Sequence, residues 1–96
     1  MARAKLYIDG LPSEVPIYET GNKNWFVMRH QDFMPLDQDI GSIKECNVKL
    51  CVVAKGVCWL VHTIQQSDPT ILRFICERDD DSPEAQHVLL TEMILN

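Results

Sequence analysis

The sequence predicts an α+β fold: a mainly antiparallel sheet of five or six strands, with one C-terminal helix packed on a face. Three observations predict it. Short apolar runs with period-2 alternation recur along most of the chain, separated by turn residues. The longest apolar stretch, Cys46 to Gln66, is interrupted near its middle by Ala54-Lys55-Gly56, the mark of a hairpin. The tail opens with helix-starting residues, Asp81 or Ser82 as the cap, then Pro83 and Glu84. The alternative is an all-β small barrel or sandwich in which His87 to Leu95 is the last strand.

Ala4 to Ile8 reads as a short strand with Ala4, Leu6 and Ile8 on one face. Asp9-Gly10-Leu11-Pro12 is a turn. Glu14 to Glu19 is a second strand, and Pro16, which cannot donate to a ladder, assigns it to a sheet edge. After the loop Gly21 to Asn24, Trp25 to His30 is a third strand and completes a hairpin with the second. Gln31 to Glu45 reads as a connecting loop with one or two helical turns: Leu36, Ile40 and Ile43 have helical spacing and Pro35 suits a helix opening, but Gly41 interrupts them.

The central hairpin runs out from Cys46 to Val53 and back from Val57 to Gln65. Neither strand has a clean polar face, so its middle is expected to be covered on both sides. A two-residue Lys55-Gly56 loop would place Lys55 at positive φ, which costs a side chain with a Cβ. A three-residue loop with only Gly56 left-handed is the cheaper expectation. It groups Val48, Leu50 and Val52 with Cys58 and Leu60, and Cys51 and Val53 with Val57, Trp59 and Val61. A one-residue slip would exchange these faces. Ser67 to Thr70 is a turn, and Ile71 to Glu77 a further strand with Leu72, Phe74 and Cys76 on its apolar side. In the final helix Ala85, Val88, Leu89, Glu92 and Met93 share a side, widened by Leu90 and Ile94.

With 96 residues the chain is read as a single domain over residues 1–96, large enough for one core without staples. Charged residues are 24% and hydrophobic ones 46%, a folded rather than disordered composition. The N-terminus has no apolar run of signal-peptide length, and the central hairpin carries Lys49, Lys55 and His62. The expected location is therefore cytoplasmic, with no membrane association. In that setting Cys46, Cys51, Cys58 and Cys76 read as reduced packing thiols.

Fourteen acids against nine bases give a net charge of −5, and the bases are scattered, which argues against direct nucleic-acid binding. The chemistry-bearing residues do not form a motif. Three histidines and four cysteines lack close ligand pairs, so no metal is expected. Cys58 and His62 share a strand face but stand roughly 13 Å apart along it, too far for a nucleophile and its base. Ser42 lacks a nucleophile-elbow context. Asp37 to Gly41 looks like half a calcium loop without its closing glutamate, and no glycine-rich phosphate loop follows a strand, so no cofactor is expected.

The one distinctive surface feature is the acidic cluster Glu77, Asp79, Asp80, Asp81 and Glu84. Its plain reading is a solvated loop that caps the helix; its functional reading is a patch that meets a basic surface. These features predict a non-enzymatic protein-binding module: a small acidic inhibitor, immunity-type or adaptor protein that occupies a basic surface of a larger partner. The alternative is a small homodimeric enzyme or ligand-binding protein with its site between subunits, where His30, Asp32 and His62 would be the first residues to test. Trp59 is expected in the core, and Trp25 either packs or lies at a contact surface.

Overall fold

The computed structural model describes residues 2–40 and 49–95, the side chains of residues 36–40 excepted. The elements run β1 (Arg3–Ile8), β2 (Leu11–Pro12), β3 (Ile17–Glu19), β4 (Trp25–Arg29), α1 (His30–Ile40), β5 (Leu50–Ala54), β6 (Val57–Asp68), β7 (Ile71–Arg78) and α2 (Pro83–Leu95). Six strands pair antiparallel in the order β1-β3-β4-β7-β6-β5, and β5 then pairs with β1, from Lys5 opposite Val53 to Ile8 opposite Leu50. The sheet therefore closes into a small barrel. β2 is an extra strand that pairs with the far end of β1. The expected antiparallel sheet and C-terminal helix are both present. The closure adds a feature that local sequence signals do not carry, since it depends on β1 meeting the middle of the chain.

β2 and β3 lie along the same side of β1, separated by Ser13 to Pro16. Pro16 thus precedes the strand rather than sitting in it. The edge placement expected for it does not hold: β3 lies between β1 and β4, and the missing donor falls in the break.

Side chains fill the barrel interior. Leu6, Ile17, Phe26, Met28, Leu50, Val52, Leu72 and Phe74 are all buried there, and Phe33 of α1 joins them, meeting Phe74 edge-on with ring centroids 6.2 Å apart. A barrel this narrow is a packed core rather than a ligand cavity. A second, smaller cluster lies outside the barrel wall beneath α2: Tyr7, Cys51, Val53, Cys58, Ala85 and Val88. Every residue of β5 is buried because one face meets the interior and the other meets α2. The double covering expected for the central hairpin is found in β5.

The turn of that hairpin differs from expectation. Ala54 pairs with Val57, and Lys55 and Gly56 have φ of 52° and 76°, the two-residue turn with both central residues left-handed. Its twist matches that of the flanking strands, and this gain outweighs the cost at Lys55. The faces are exchanged accordingly. Val52 lies opposite Trp59, and Trp59 packs on the interior cluster with its ring 6.0 Å from that of Phe26. Cys51 and Val53 share the outer face with Cys58 and Leu60.

His30–Ile40 forms a regular helix of 11 residues where a loop with one or two helical turns is expected. Pro35 lies within it rather than opening it. The helix forms because it carries Phe33 into the end of the barrel, a tertiary gain that exceeds the local cost of proline. The part of that expected loop beyond residue 40, and residues 46–48 of the expected hairpin, lie outside the described residues.

Candidate functional site

With the interior filled, function must be sought on the outer surface. Among the described residues no charged side chain is buried. The acidic cluster occupies the connection from β7 to α2 at one end of the barrel, and the structure gives its five carboxylates different tasks.

Asp79 builds the helix start. Its backbone N–H donates to the Cys58 carbonyl at 3.0 Å, which fixes the connection to the barrel wall. Its carboxylate accepts from the N–H groups of Asp81 at 3.3 Å and Ser82 at 3.1 Å, and from the Ser82 hydroxyl at 2.5 Å. These donors, the hydroxyl foremost, hold it below the usual aspartate range. Ser82 Oγ in turn accepts the Ala85 N–H at 3.1 Å and caps α2. Glu84 pairs with Lys49, which lowers the carboxyl and raises the amine.

Glu77 and Asp80 are paired more loosely at the surface. Glu77 Oε2 lies 2.6 Å from His62 Nε2, and Asp80 accepts from Arg78 Nε at 3.0 and 3.2 Å. The carboxylate of Asp81 has no hydrogen-bond or ionic partner among the described residues and is exposed. The cluster thus divides into two groups. Asp79 and Glu84 serve the fold, while Glu77, Asp80 and Asp81 face solvent.

Asp79 and Glu84 also border a cleft of about 290 Å³ between β6 and the start of α2, together with Lys49, Leu60, His62 and Ser82. Asp80 turns to a groove on the other side of α2, beside Gln86, Leu90 and Met93. The cleft has the residue types of acid–base chemistry, but its groups already engage one another. Ser82 donates to Asp79 while accepting from Ala85, so its hydroxyl is occupied in capping. His62 is held by Glu77, and no hydrogen bond among the described residues joins it to a hydroxyl or thiol. His30 and Asp32 are elsewhere. Asp32 accepts from Arg29 at 2.8 Å, and His30 borders a separate depression at the start of α1.

The thiols of Cys51, Cys58 and Cys76 are free and buried. Burial pushes the Cys76 thiol up to about 12. The hydrogen bond that Cys51 and Cys58 share raises Cys58, with burial adding to it, and lowers Cys51. Trp25 packs, half-buried, under the Arg73 guanidinium 4.4 Å from its ring centroid. The likeness of Asp37 to Gly41 to a calcium loop, Ser42 and Cys46 lie outside the residues whose side chains are described.

The second surface feature is apolar and was not singled out by sequence reasoning. Along α2 only Ala85 and Val88 are buried, whereas Leu90, Met93, Ile94 and Leu95 are 56%, 76%, 75% and 56% exposed. The available signal was that the tail is apolar on all sides, a composition that suits a helix covered all round. Fully buried Tyr7, whose hydroxyl donates to Glu92 at 2.5 Å, was also missed; Lys5 reaches the same carboxylate at 3.4 Å. This contact ties the second half of α2 to β1.

Among the described residues no group of three or more His, Cys, Asp or Glu side chains could hold a metal ion, and no helix is long and apolar enough to cross a membrane. Comparison of the chain with protein-family models, with curated proteins and with solved structures returned no match, so its functional reading rests on its own geometry.

Proposed function

We propose that this protein is a non-enzymatic protein-binding module, an inhibitor or adaptor that docks its acidic rim on a basic surface of a larger partner. The observation that carries the reading is the division of labour in the β7–α2 connection. Asp79 and Glu84 hold the rim rigid by capping α2 and pairing with Lys49. Glu77, Asp80 and Asp81 are thereby presented to solvent on a fixed scaffold. A rigid group of like charges steers association with an opposite surface and loses little entropy on docking. The filled barrel interior is consistent with recognition at the surface.

The test is affinity capture on the tagged protein, eluted in a salt gradient, beside the double variant Asp80→Lys/Asp81→Lys. Both positions are exposed and neither caps the helix, so the fold should be retained. A specific basic protein held by the native chain, released at moderate salt and bound about tenfold or more weakly by the variant, is the expected result. Equal retention by both proteins would leave the rim as solvation only. Turnover of a substrate that one point mutation abolishes would end the non-enzymatic reading.

A further inference from the structure

Cys51 and Cys58 sit on the outer face of the β5–β6 hairpin, in the cluster that α2 covers. Cys51 lies opposite Leu60 and Cys58 opposite Val53, so the two cysteines are diagonal neighbours across the hairpin. Both thiols are free of disulfides and hydrogen-bonded to each other. Cys51 also lines a groove of about 470 Å³ between the start of α2 and the Asp9-Gly10 turn, with Lys49, Glu84 and His87 on its walls. We propose that Cys51 and Cys58 form a two-sulfur site for a soft monovalent cation, Cu(I), which enters through this groove.

The diagonal offset decides what the pair can form. Diagonal neighbours in a sheet stand about 7–8 Å apart. A disulfide needs Cα atoms within about 6.8 Å and Cβ atoms within about 4.5 Å, so direct oxidation to a bridge is disfavoured. A cation between the sulfurs replaces one bond of about 2.05 Å by two of about 2.3 Å, and so spans the diagonal. Ligand number then selects the ion. Cys76 belongs to the interior cluster, and among the described residues no group of three or more His, Cys, Asp or Glu side chains could hold a metal. Zinc, which takes four ligands in a structural site, is not served by two thiolates. Cu(I) is soft, prefers thiolate, and accepts two ligands.

The charges around the pair favour a cation there. Asp79, Asp80 and Glu84 lie near enough to the thiols to oppose thiolate formation, while Lys49 favours it at Cys51. A bound cation cancels one of the two thiolate charges that these carboxylates resist. Binding releases both thiol protons and leaves the copper oxidation state unchanged. The inference does not rest on what the rim carboxylates bind.

The test is anaerobic competition for Cu(I) between the reduced protein and the coloured chelator bicinchoninate. The native chain is expected to withdraw one equivalent and to melt at a higher temperature with the ion bound. X-ray absorption at the copper edge should show two sulfur ligands and no others, a reading taken on the native chain whether or not a variant folds. Cys51→Ser and Cys58→Ser, each checked for native circular dichroism, should weaken uptake at least about a hundredfold. Cys46→Ser/Cys76→Ser should leave it within about twofold. A native chain that takes no Cu(I) from the chelator would overturn the proposal. So would nitrogen or oxygen ligands on the copper, uptake that survives the serine substitutions at Cys51 and Cys58, or uptake lost with Cys46 and Cys76.

Discussion

At the scale of single residues, Lys55 shows how a local cost is accepted for a global gain. Its φ of 52° is a conformation that L residues with a Cβ adopt only at a cost, and the exposed Lys55 ammonium has one ionic partner among the described residues, Glu19 at 3.7 Å. The turn is retained because its twist sets the register that turns Val52 inward and Cys58 outward. Asparagine tolerates the left-handed region and suits the first central position of this turn. Lys55→Asn should therefore stabilise the protein by about 1 kcal/mol in urea unfolding, with an unchanged m-value. A destabilised Lys55→Asn would mean that the ion pair, not the backbone, governs this position. The same residue marks the limit of reading a turn from steric cost alone. Ala54, Lys55 and Gly56 announce a turn, but the choice between two- and three-residue loops is made by the strands on either side.

At the scale of elements, α2 rests on a cap and a tether. The cap is Asp79 with Ser82, and the tether is Tyr7 with Glu92. Asp79 has a folded-state pKa below its unfolded one, as does Glu84. The stability each lends is complete above the ordinary carboxylate pKa of about 4 and is lost as pH falls through the depressed folded value. Melting temperature should therefore drop between about pH 5 and pH 2, and Asp79→Asn should flatten that slope while lowering the plateau at neutral pH. An identical slope in the variant would show that Asp79 does not couple to folding. Ser82, Pro83 and Glu84 made this helix legible in the sequence. α1 was less so, because Pro35 argues against a helix locally and the compensating burial of Phe33 is a contact with a distant strand.

At the scale of the whole molecule, the barrel and α2 together remove the thiols of Cys51, Cys58 and Cys76 from solvent. Cys76 lies in the interior, and Cys51 and Cys58 lie between barrel wall and helix. Alkylation of Cys58 and Cys76 in the native protein, followed site by site by mass spectrometry, should be at least about a hundredfold slower than in denaturant. Rapid native labelling of Cys58 would show that α2 lifts from the wall. The antiparallel pattern and the apolar stretches were readable because alternation is a local signal. Closure was not, since it joins Lys5 to Val53 across nearly half the chain. The acidic segment was readable as composition, but not its division into scaffold and surface, which depends on Lys49, just before β5, and His62 of β6 arriving from elsewhere in the chain.

The pairing of β1 with β5 also orders events in time. The first strand of the chain must wait for the middle of the chain before the barrel can close, and a long loop has to be gathered with little enthalpic return until then. During synthesis, β2 and β3 follow β1 directly and pair with one of its edges, while the edge that meets β5 emerges well ahead of its partner. Such an edge is a hazard for intermolecular pairing while the rest of the polypeptide is being made. Lys5, set on this strand among apolar neighbours, is the kind of charge that discourages it.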